Sequence, residues 1–387
     1  MTLYPKQEGR GESCSVKIGL LGAGTIGFGV VELADKTADL EIVKILDRRD
    51  IPELRSRLTT DPDAVLTDPE IDTVIELLGG VEPAFTWVNK ALRAGKNVVT
   101  ANKFLVSEKL TELLAAAKEG GAQLRFSAAV GGGIPYLVNL LRARRVDEVL
   151  EVGGILNGTT NYILTKMTEE NLDFSDALKQ AQELGYAEAN PTADISGGDT
   201  HCKIALASAI AWNGTPDKHA IPCEGITRIT ARDLAQVRSM GYGCKLLARA
   251  FKAGDTICAT VEPTLVPAVS VTAGIRLVEN MAYWVGKNAG MQRFTGAGAG
   301  RYATAYAVLE DVRDIPGGAY SFEIGAEALK QDAAALTRRY LTRGLAVEGE
   351  RNGDYTLTAP MAPAEMHAKA KAAEEAGQAF FFAGLFE

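Results

Sequence analysis

Val16-Lys17-Ile18-Gly19-Leu20-Leu21-Gly22-Ala23-Gly24-Thr25-Ile26-Gly27 is the stretch that decides the fold. Its first half is a short apolar run ending at glycine, as a parallel strand buried on both faces should be. Its second half spaces three glycines as Gly22-x-Gly24-x-x-Gly27 and passes directly into Phe28-Gly29-Val30-Val31-Glu32-Leu33, which reads as a helix. Each glycine is there for a physical reason. Gly22 permits a tight turn, Gly24 lets backbone approach a pyrophosphate, and Gly27 lets helix and strand pack closely. The helix N-terminus then offers free N–H groups and a positive dipole end to phosphate, and Thr25 and Ile26 in the turn are expected to contact the cofactor. The prediction is an α/β protein with a Rossmann-type parallel sheet that binds a dinucleotide.

Working outward, the same pattern repeats. Glu41 to Leu46 reads as a second strand and ends at Asp47, twenty positions after Gly27. An acid there accepts hydrogen bonds from the adenine ribose and favours NAD. Arg48 and Arg49 beside it would suit the 2′-phosphate of NADP, or stand as solvated loop charges; the reading leans to NAD. Ile71 to Leu78 is a strand ending at Gly79-Gly80, Glu82 to Ala94 a helix stopped by Gly95, and Asn97 to Thr100 another strand. Thr100 and Lys103 fall at its carboxyl end, the edge where open parallel sheets bind ligands. A helix from Leu110 to Lys118 and a strand from Gln123 to Ala128 complete this half.

The chain of 387 residues has room for two domains and a small third. The expected division is a disordered lead over 1–13 with no signal-peptide core, then a dinucleotide-binding domain over 14–150 with a return segment near 300–325. An α+β substrate and dimerisation domain over 151–299 follows, with a small α+β extension over 331–387. A net charge of -8 with no basic stripe argues against a nucleic-acid partner, and no apolar run approaches membrane-spanning length. Five cysteines without paired or metal spacing fit reduced thiols in the cytoplasm, and three histidines form no ligand pair.

The second half begins at a flexible joint, Val130-Gly131-Gly132-Gly133-Ile134-Pro135. Val149 to Leu156 reads as a strand that delivers Asn157-Gly158-Thr159-Thr160-Asn161 to a helix over Tyr162 to Met167. Such a corner can present amides and hydroxyls to a small ligand, or cap the helix through Thr160 or Asn161. A helix from Phe174 to Leu184 and a loop from Tyr186 to Asp194 lead to a helix from about Asp199, on which Lys203 shares a face with Asp199. As a surface pair these two would contribute a few tenths of a kcal/mol. As part of a cluster with Glu188 and Asp194, they would bind an ammonium group and hold Lys203 in place. The loop setting favours the cluster; Cys202, on another face, reads as core. A cofactor turn with two lysines among acids and amides suggests a dehydrogenase that handles protons with amines.

Six segments together resemble the homoserine dehydrogenase family: Gly22 to Gly27, Asn97 to Lys103, Val130 to Pro135, Asn157 to Leu164, Gly185 to Lys203, and the late loop Gly296-Ala297-Gly298-Ala299-Gly300. The resemblance implies reversible NAD(P)H-dependent reduction of L-aspartate 4-semialdehyde to L-homoserine, in the threonine and methionine branch, by a homodimer or higher homo-oligomer. It implies that Lys203 and Lys103 handle the proton and that Glu188 and Asp199, helped by Asp194 and Tyr186, hold the substrate amino end. Two ammonium groups brought close would each lower the pKa of the other. Asn157, Gly158 and Thr159 would line the pocket, and Gly300 would return the chain to the cofactor.

Three positions depart from the family pattern. Ser127 stands where a glutamate is usual in a Na+ or K+ site, leaving the carbonyls of Val130 and Gly132 as ligands. Asn190 replaces an aspartate before Pro191, and Arg301-Tyr302-Ala303 replaces Pro-Thr-Ala after the late loop. The tail lacks the ligand turn of a regulatory ACT module, so a degenerate module or an oligomer contact is expected. Thr256 to Gly286 is read as strands that could pair across a dimer. The alternatives are a related amino-acid dehydrogenase with another substrate and a non-catalytic NAD(P)-binding regulator. An aspartate-semialdehyde dehydrogenase would need a nucleophilic cysteine at a strand-to-helix turn.

Overall fold

The apolar run and the glycine turn become β1 (Val16–Leu21) and α1 (Thr25–Ala34). The computed structural model describes residues 15–318, 322 and 324–386, and the expected lead over 1–13 lies outside the described residues. β2 (Leu40–Leu46), β3 (Leu58–Thr59), α2 (Asp63–Leu66), β4 (Thr73–Glu76), α3 (Ala84–Arg93), β5 (Asn97–Thr100), α4 (Lys103–Gly120) and β6 (Leu124–Arg125) follow. The strands lie in the order β3-β2-β1-β4-β5-β6, every pair parallel. This is the order of a dinucleotide-binding fold, with its switch point between β1 and β4. Ile18, Leu20, Val74, Ile75, Val98 and Val99 are all fully buried, as strands covered by helices on both faces require.

In this half, the start of α4 and the length of β6 differ from the sequence reading. α4 starts at Lys103 rather than Leu110, because the Asn102 side chain accepts from the Leu105 N–H at 3.1 Å and caps it. The helical pattern was hidden by Lys109, whose φ of -123° interrupts the helix. The expected strand over 123–128 shrinks to β6 and then coils into a tight turn over Ser127–Ala129. There Asp311 Oδ2 takes both the Ser127 N–H and its hydroxyl, at 2.8 and 2.7 Å, and turns the backbone away from the sheet.

The rest of the chain builds a mixed sheet. Its elements are α5 (Tyr136–Ala143), β7 (Val149–Ile155), α6 (Gly158–Glu169), α7 (Phe174–Glu183), α8 (Thr192–Ile195), α9 (Gly198–Trp212), β8 (Thr215–Pro216), α10 (Ala231–Ser239), β9 (Tyr242–Ala253), β10 (Thr256–Pro267), α11 (Val271–Gly274), β11 (Glu279–Gly286) and β12 (Gly290–Ala297). α12 (Arg301–Asp314), β13 (Ala328–Gln331), β14 (Tyr340–Arg343), β15 (Gly349–Asn352), β16 (Tyr355–Thr358), α13 (Pro363–Glu375) and β17 (Phe381–Leu385) complete them. The strand order is β12-β11-β7-β9-β10-β17-β14-β16-β15, with β13 beside β10 and β8 beside β13. α9 lies against this sheet and is buried on almost every face from Cys202 to Ala211, which its alanines at 205, 207, 209 and 211 allow.

Strands of the last stretch extend the same sheet, β17 running parallel to β10 and antiparallel to β14. β10 therefore has neighbours on both edges, and so does β11, between β7 and β12. The expectation that Thr256 to Gly286 pairs across a dimer is corrected: those backbone groups are taken within the chain. α12 carries the chain back onto α1, and a Cβ at Gly29 would lie 2.8 Å from the Arg301 carbonyl, so only glycine permits that approach.

Candidate active site

The cofactor end is built from backbone. Gly22 holds φ +97°, and a Cβ on Gly27 would stand 2.2 Å from the Gly22 carbonyl, so neither position takes a side chain. At Gly24 the Cβ direction is open, with no atom within 4 Å. α1 begins there with no side-chain cap and no acid in its first turn. An uncapped, acid-free helix start behind an open glycine fits a dinucleotide pyrophosphate.

Asp47 sits behind this turn and accepts from Ala23 N at 2.9 Å. Arg49, not Arg48, closes on it. Its backbone N–H (3.0 Å), Nε (2.9 Å) and Nη2 (2.8 Å) all reach the carboxylate, and Nη2 also reaches the Ala23 carbonyl at 2.7 Å. The Arg49 hydrogen bonds, joined by that of Ala23, hold the Asp47 carboxyl well below the usual range. Arg48 is exposed.

At the carboxyl end of β4 and β5, the sequence reading missed Glu76. It is fully buried, takes the Thr100 hydroxyl at 2.6 Å and the Leu78 N–H at 2.7 Å, and lies 3.3 Å from Asn102 Nδ2. Thr100, expected at the cofactor, is thus tied to Glu76, and the pair sets the start of α4 that carries Lys103. Burial pushes the Glu76 carboxyl up. Its only sequence signal was an acid inside an apolar strand.

Lys103 and Lys203, a hundred positions apart, meet on one carboxylate. Asp199 Oδ1 is 2.8 Å from Lys103 Nζ, and Oδ2 is 2.8 Å from Lys203 Nζ. Lys203 Nζ also donates to the Leu156 carbonyl at 2.5 Å. An ammonium has three donors, so one N–H of Lys203 is left for a ligand. Asn157 Nδ2 reaches both Asp194 and Asp199 at 2.8 Å, while its Oδ1 accepts from Thr160 N at 2.8 Å. Asn157 is therefore the cap of α6, which starts at Gly158 rather than at Tyr162, and the capping expected of Thr160 or Asn161 is corrected. Thr159 donates to the Tyr186 carbonyl at 2.6 Å, and the Tyr186 ring leans on Tyr162. Asp194 lies in the helical turn α8 instead of a loop.

Electrostatics divides the two lysines. Burial opposes charge on Lys103, but Asp199 and Asp194 outweigh it and its pKa is raised. At Lys203 burial dominates, and the pull of Asp199 is offset in part by Lys103, so its pKa is lowered. The mutual depression expected of two close ammonium groups thus holds for one of them only. Burial would raise Asp199, yet Lys203 and Lys103 hold it well below the usual range. Burial pushes Asp194 up.

These groups border a cavity of about 550 Å³ that runs from Ile26 on α1 past Lys103 to Lys203, Asp194 and Glu188, with the late glycine loop as its other wall. A cavity that joins a dinucleotide turn to a lysine–carboxylate cluster fits a nicotinamide-dependent oxidoreductase. The pattern of the homoserine dehydrogenase family matches residues 135–312, and that of homoserine dehydrogenase, NAD binding domain, residues 22–127. The homoserine dehydrogenase of Bacillus subtilis is 38% identical over 312 residues, covering 77% of this chain and 72% of its own. That of Corynebacterium glutamicum is 39% identical over 325 residues, 79% and 72% of the two chains. The crystal structure of a homoserine dehydrogenase from Thiobacillus denitrificans superposes with a TM-score of 0.86 at 31% identity, covering 96% of this chain and 98% of that one. The chain belongs to the homoserine dehydrogenase family and is an NAD(P)-dependent oxidoreductase, with the family's place in threonine and methionine biosynthesis. Among the described residues, no helix is long and apolar enough to cross a membrane.

Proposed function

We propose that the cavity reduces L-aspartate 4-semialdehyde to L-homoserine, reversibly, with Lys203 as general acid and base. The observation that carries this reading is the single N–H of Lys203 that no described residue takes, on a buried amine of lowered pKa that lines the cavity. The nicotinamide, when bound, supplies or accepts the hydride at the carbonyl carbon. Negative charge then builds on the carbonyl oxygen, and a positioned ammonium stabilises it and gives up its proton. Lys103, kept charged, adds a fixed positive field and holds the other oxygen of Asp199. Glu188, Asp194 and Asp199 supply negative charge for the substrate ammonium group, with Tyr186, Gly158 and Thr159 shaping that end.

The cofactor contacts assigned to Gly22, Gly24, Thr25, Ile26, Gly27 and Gly300 fit this arrangement. Cofactor preference turns on Asp47. Four N–H groups already fill the roughly four acceptor positions of a carboxylate, which leaves a ribose hydroxyl little to bond. With Arg48 exposed beside Arg49, this supports use of NADP as well as NAD, a shift from the lean to NAD. For a monovalent cation, the residues fit poorly: Ser127 gives its N–H and hydroxyl to Asp311 and brings no charge to the carbonyls of Val130 and Gly132. The same reading assigns cofactor binding to 14–150 with its return segment, substrate binding and dimer formation to 151–299, and a supporting role to 331–387.

The test is absorbance of the reduced nicotinamide during oxidation of L-homoserine, with NAD and then NADP, for wild type and Lys203→Ala. Turnover should fall by about 10²–10⁴-fold in the variant. A variant that keeps most of its turnover at saturating substrate would sink the assignment.

A further inference from the structure

One buried acid of the dinucleotide half plays no part in the proton and substrate chemistry just described. Glu76 ends β4, in the middle of the parallel sheet, and is fully buried. The partners of its carboxyl are neutral: the Thr100 hydroxyl, the Asn102 carboxamide and the N–H groups of Leu78 and Gly79. Burying a carboxyl against neutral donors is costly, so a reason beyond packing is called for.

Those donors converge on one place. Thr100 gives its hydroxyl proton to Glu76 Oε2 at 2.6 Å and accepts the Asn102 N–H at 2.9 Å. Asn102 Nδ2 lies 3.3 Å from Glu76 Oε1 and donates to the Gly80 carbonyl at 2.6 Å. Asn102 Oδ1 takes the Leu105 N–H at 3.1 Å. Backbone and side chain of Asn102 are thus both engaged, and the next residue is Lys103. The first turn of α4, from which the Lys103 side chain sets out, is therefore fixed from Glu76. The Lys103 ammonium then reaches across to Asp199 Oδ1 on α9, whose other oxygen holds Lys203.

We infer that Glu76 is a positioning residue: through Thr100 and Asn102 it keeps the Lys103 ammonium on Asp199, where it competes with Lys203 for that carboxylate. The effect on Lys203 has a sign. The charges that bear on Lys203 most are Asp199, Lys103 and Asp194. With Lys103 in place, Asp199 is shared and a like charge stands close, and both disfavour charge on Lys203. Loosening Lys103 relieves both, so the pKa of Lys203 should rise. Direct action of the Glu76 charge would do the reverse, because removing an anion lowers the pKa of a lysine. The inference rests on the proposed role of Lys203 only for its effect on turnover, since the titration of Lys203 can be read without catalysis.

The experiment is an NMR titration of enzyme whose lysines are isotope-labelled at Cε, with the Lys203 signal assigned by its loss in Lys203→Ala. Glu76→Ala should raise the pKa of Lys203 by about half a pH unit, less than removal of a neighbouring charge produces. Glu76→Gln, which keeps the shape of the carboxyl and its hydrogen bonding, should recover the wild-type value. In a Lys103→Met background, Glu76→Ala should have no further effect. A fall in the pKa, no change, or a rise that persists without Lys103 overturns the inference. If Glu76→Ala does not fold, Thr100→Val, which removes the hydroxyl between Glu76 and Asn102, is judged by the same signs. The pH limb of kcat/KM for homoserine oxidation should follow the NMR values. If it does not, Lys203 is not the base, and the titration still decides the role of Glu76.

Discussion

Two buried acids in this molecule, Asp199 and Glu262, each sit between two basic groups, and Asp199 borders the cavity of the candidate site. Asp199 joins Lys103 and Lys203 at 2.8 Å each, with an N–H of Lys203 left over. Glu262, on β10, takes Arg338 at 2.8 Å and lies 2.9 Å from His367 Nε2, with the Tyr340 hydroxyl at 3.3 Å. Burial would raise the Glu262 carboxyl, but Arg338 and His367 hold it lowered. The partners of Glu262 come from the last stretch of the chain, so this cluster pins β14 and α13 to the sheet. Burial and charge alike are shared by both. What supports a chemical role for the first is a donor on the wall of a cavity that no described residue takes.

Substitutions can break this contrast, and the largest effects come first. Glu262→Gln leaves Arg338 buried without its counter-charge and should cost about 3–5 kcal/mol, measured by denaturant unfolding. The turnover of the molecules that remain folded should stay near wild type. Lys203→Ala should invert that outcome, with turnover lost and the unfolding midpoint little changed; equal losses of stability in both would erase the distinction.

The pH profile sharpens the roles of the lysines. With Lys203 as the proposed base, homoserine oxidation needs it neutral, so kcat/KM should rise with pH through its pKa, below the ordinary lysine value of about 10.4. Asp199 favours the charged form, so Asp199→Asn should move that limb to lower pH. Lys103 disfavours it, so Lys103→Met should move the limb upward. Shifts in the opposite directions would refute the electrostatic assignment.

At the cofactor end, Gly24→Val has open space for its side chain in the folded protein. It should leave the thermal midpoint within a few degrees and raise the cofactor KM about tenfold or more, because it occupies the approach of the pyrophosphate. Gly27→Ala, whose Cβ would strike the Gly22 carbonyl, should instead unfold at lower temperature. Smallest of all, Arg49→Ala should weaken NADP several-fold and NAD less, an effect of one exposed charge–phosphate contact. Equal losses for the two cofactors would remove Arg49 from the choice between them.

Much of the nucleotide half was legible because its signals are local. An apolar run, a glycine spacing and a strand followed by glycine each act within about a dozen residues, and β1 and β5 have the residues expected of them. The start of α4 was not legible, since a cap at Asn102 and an interruption at Lys109 defeat a periodicity reading. Nor was the truncation of β6, which depends on Asp311, a residue 184 positions from Ser127.

The sequence by itself determined the turn, the acids and the two lysines, and their order along the chain was enough to identify the family. Only the tertiary structure decided how those groups divide the work. A lysine's pKa depends on the water and the charges around its nitrogen, and those are set by which chain segments fold over it. Burial lowers Lys203, and the carboxylates outweigh burial at Lys103, although both lie beside the same Asp199. That Arg49 and not Arg48 reaches Asp47 is likewise a matter of packing, which the sequence left open.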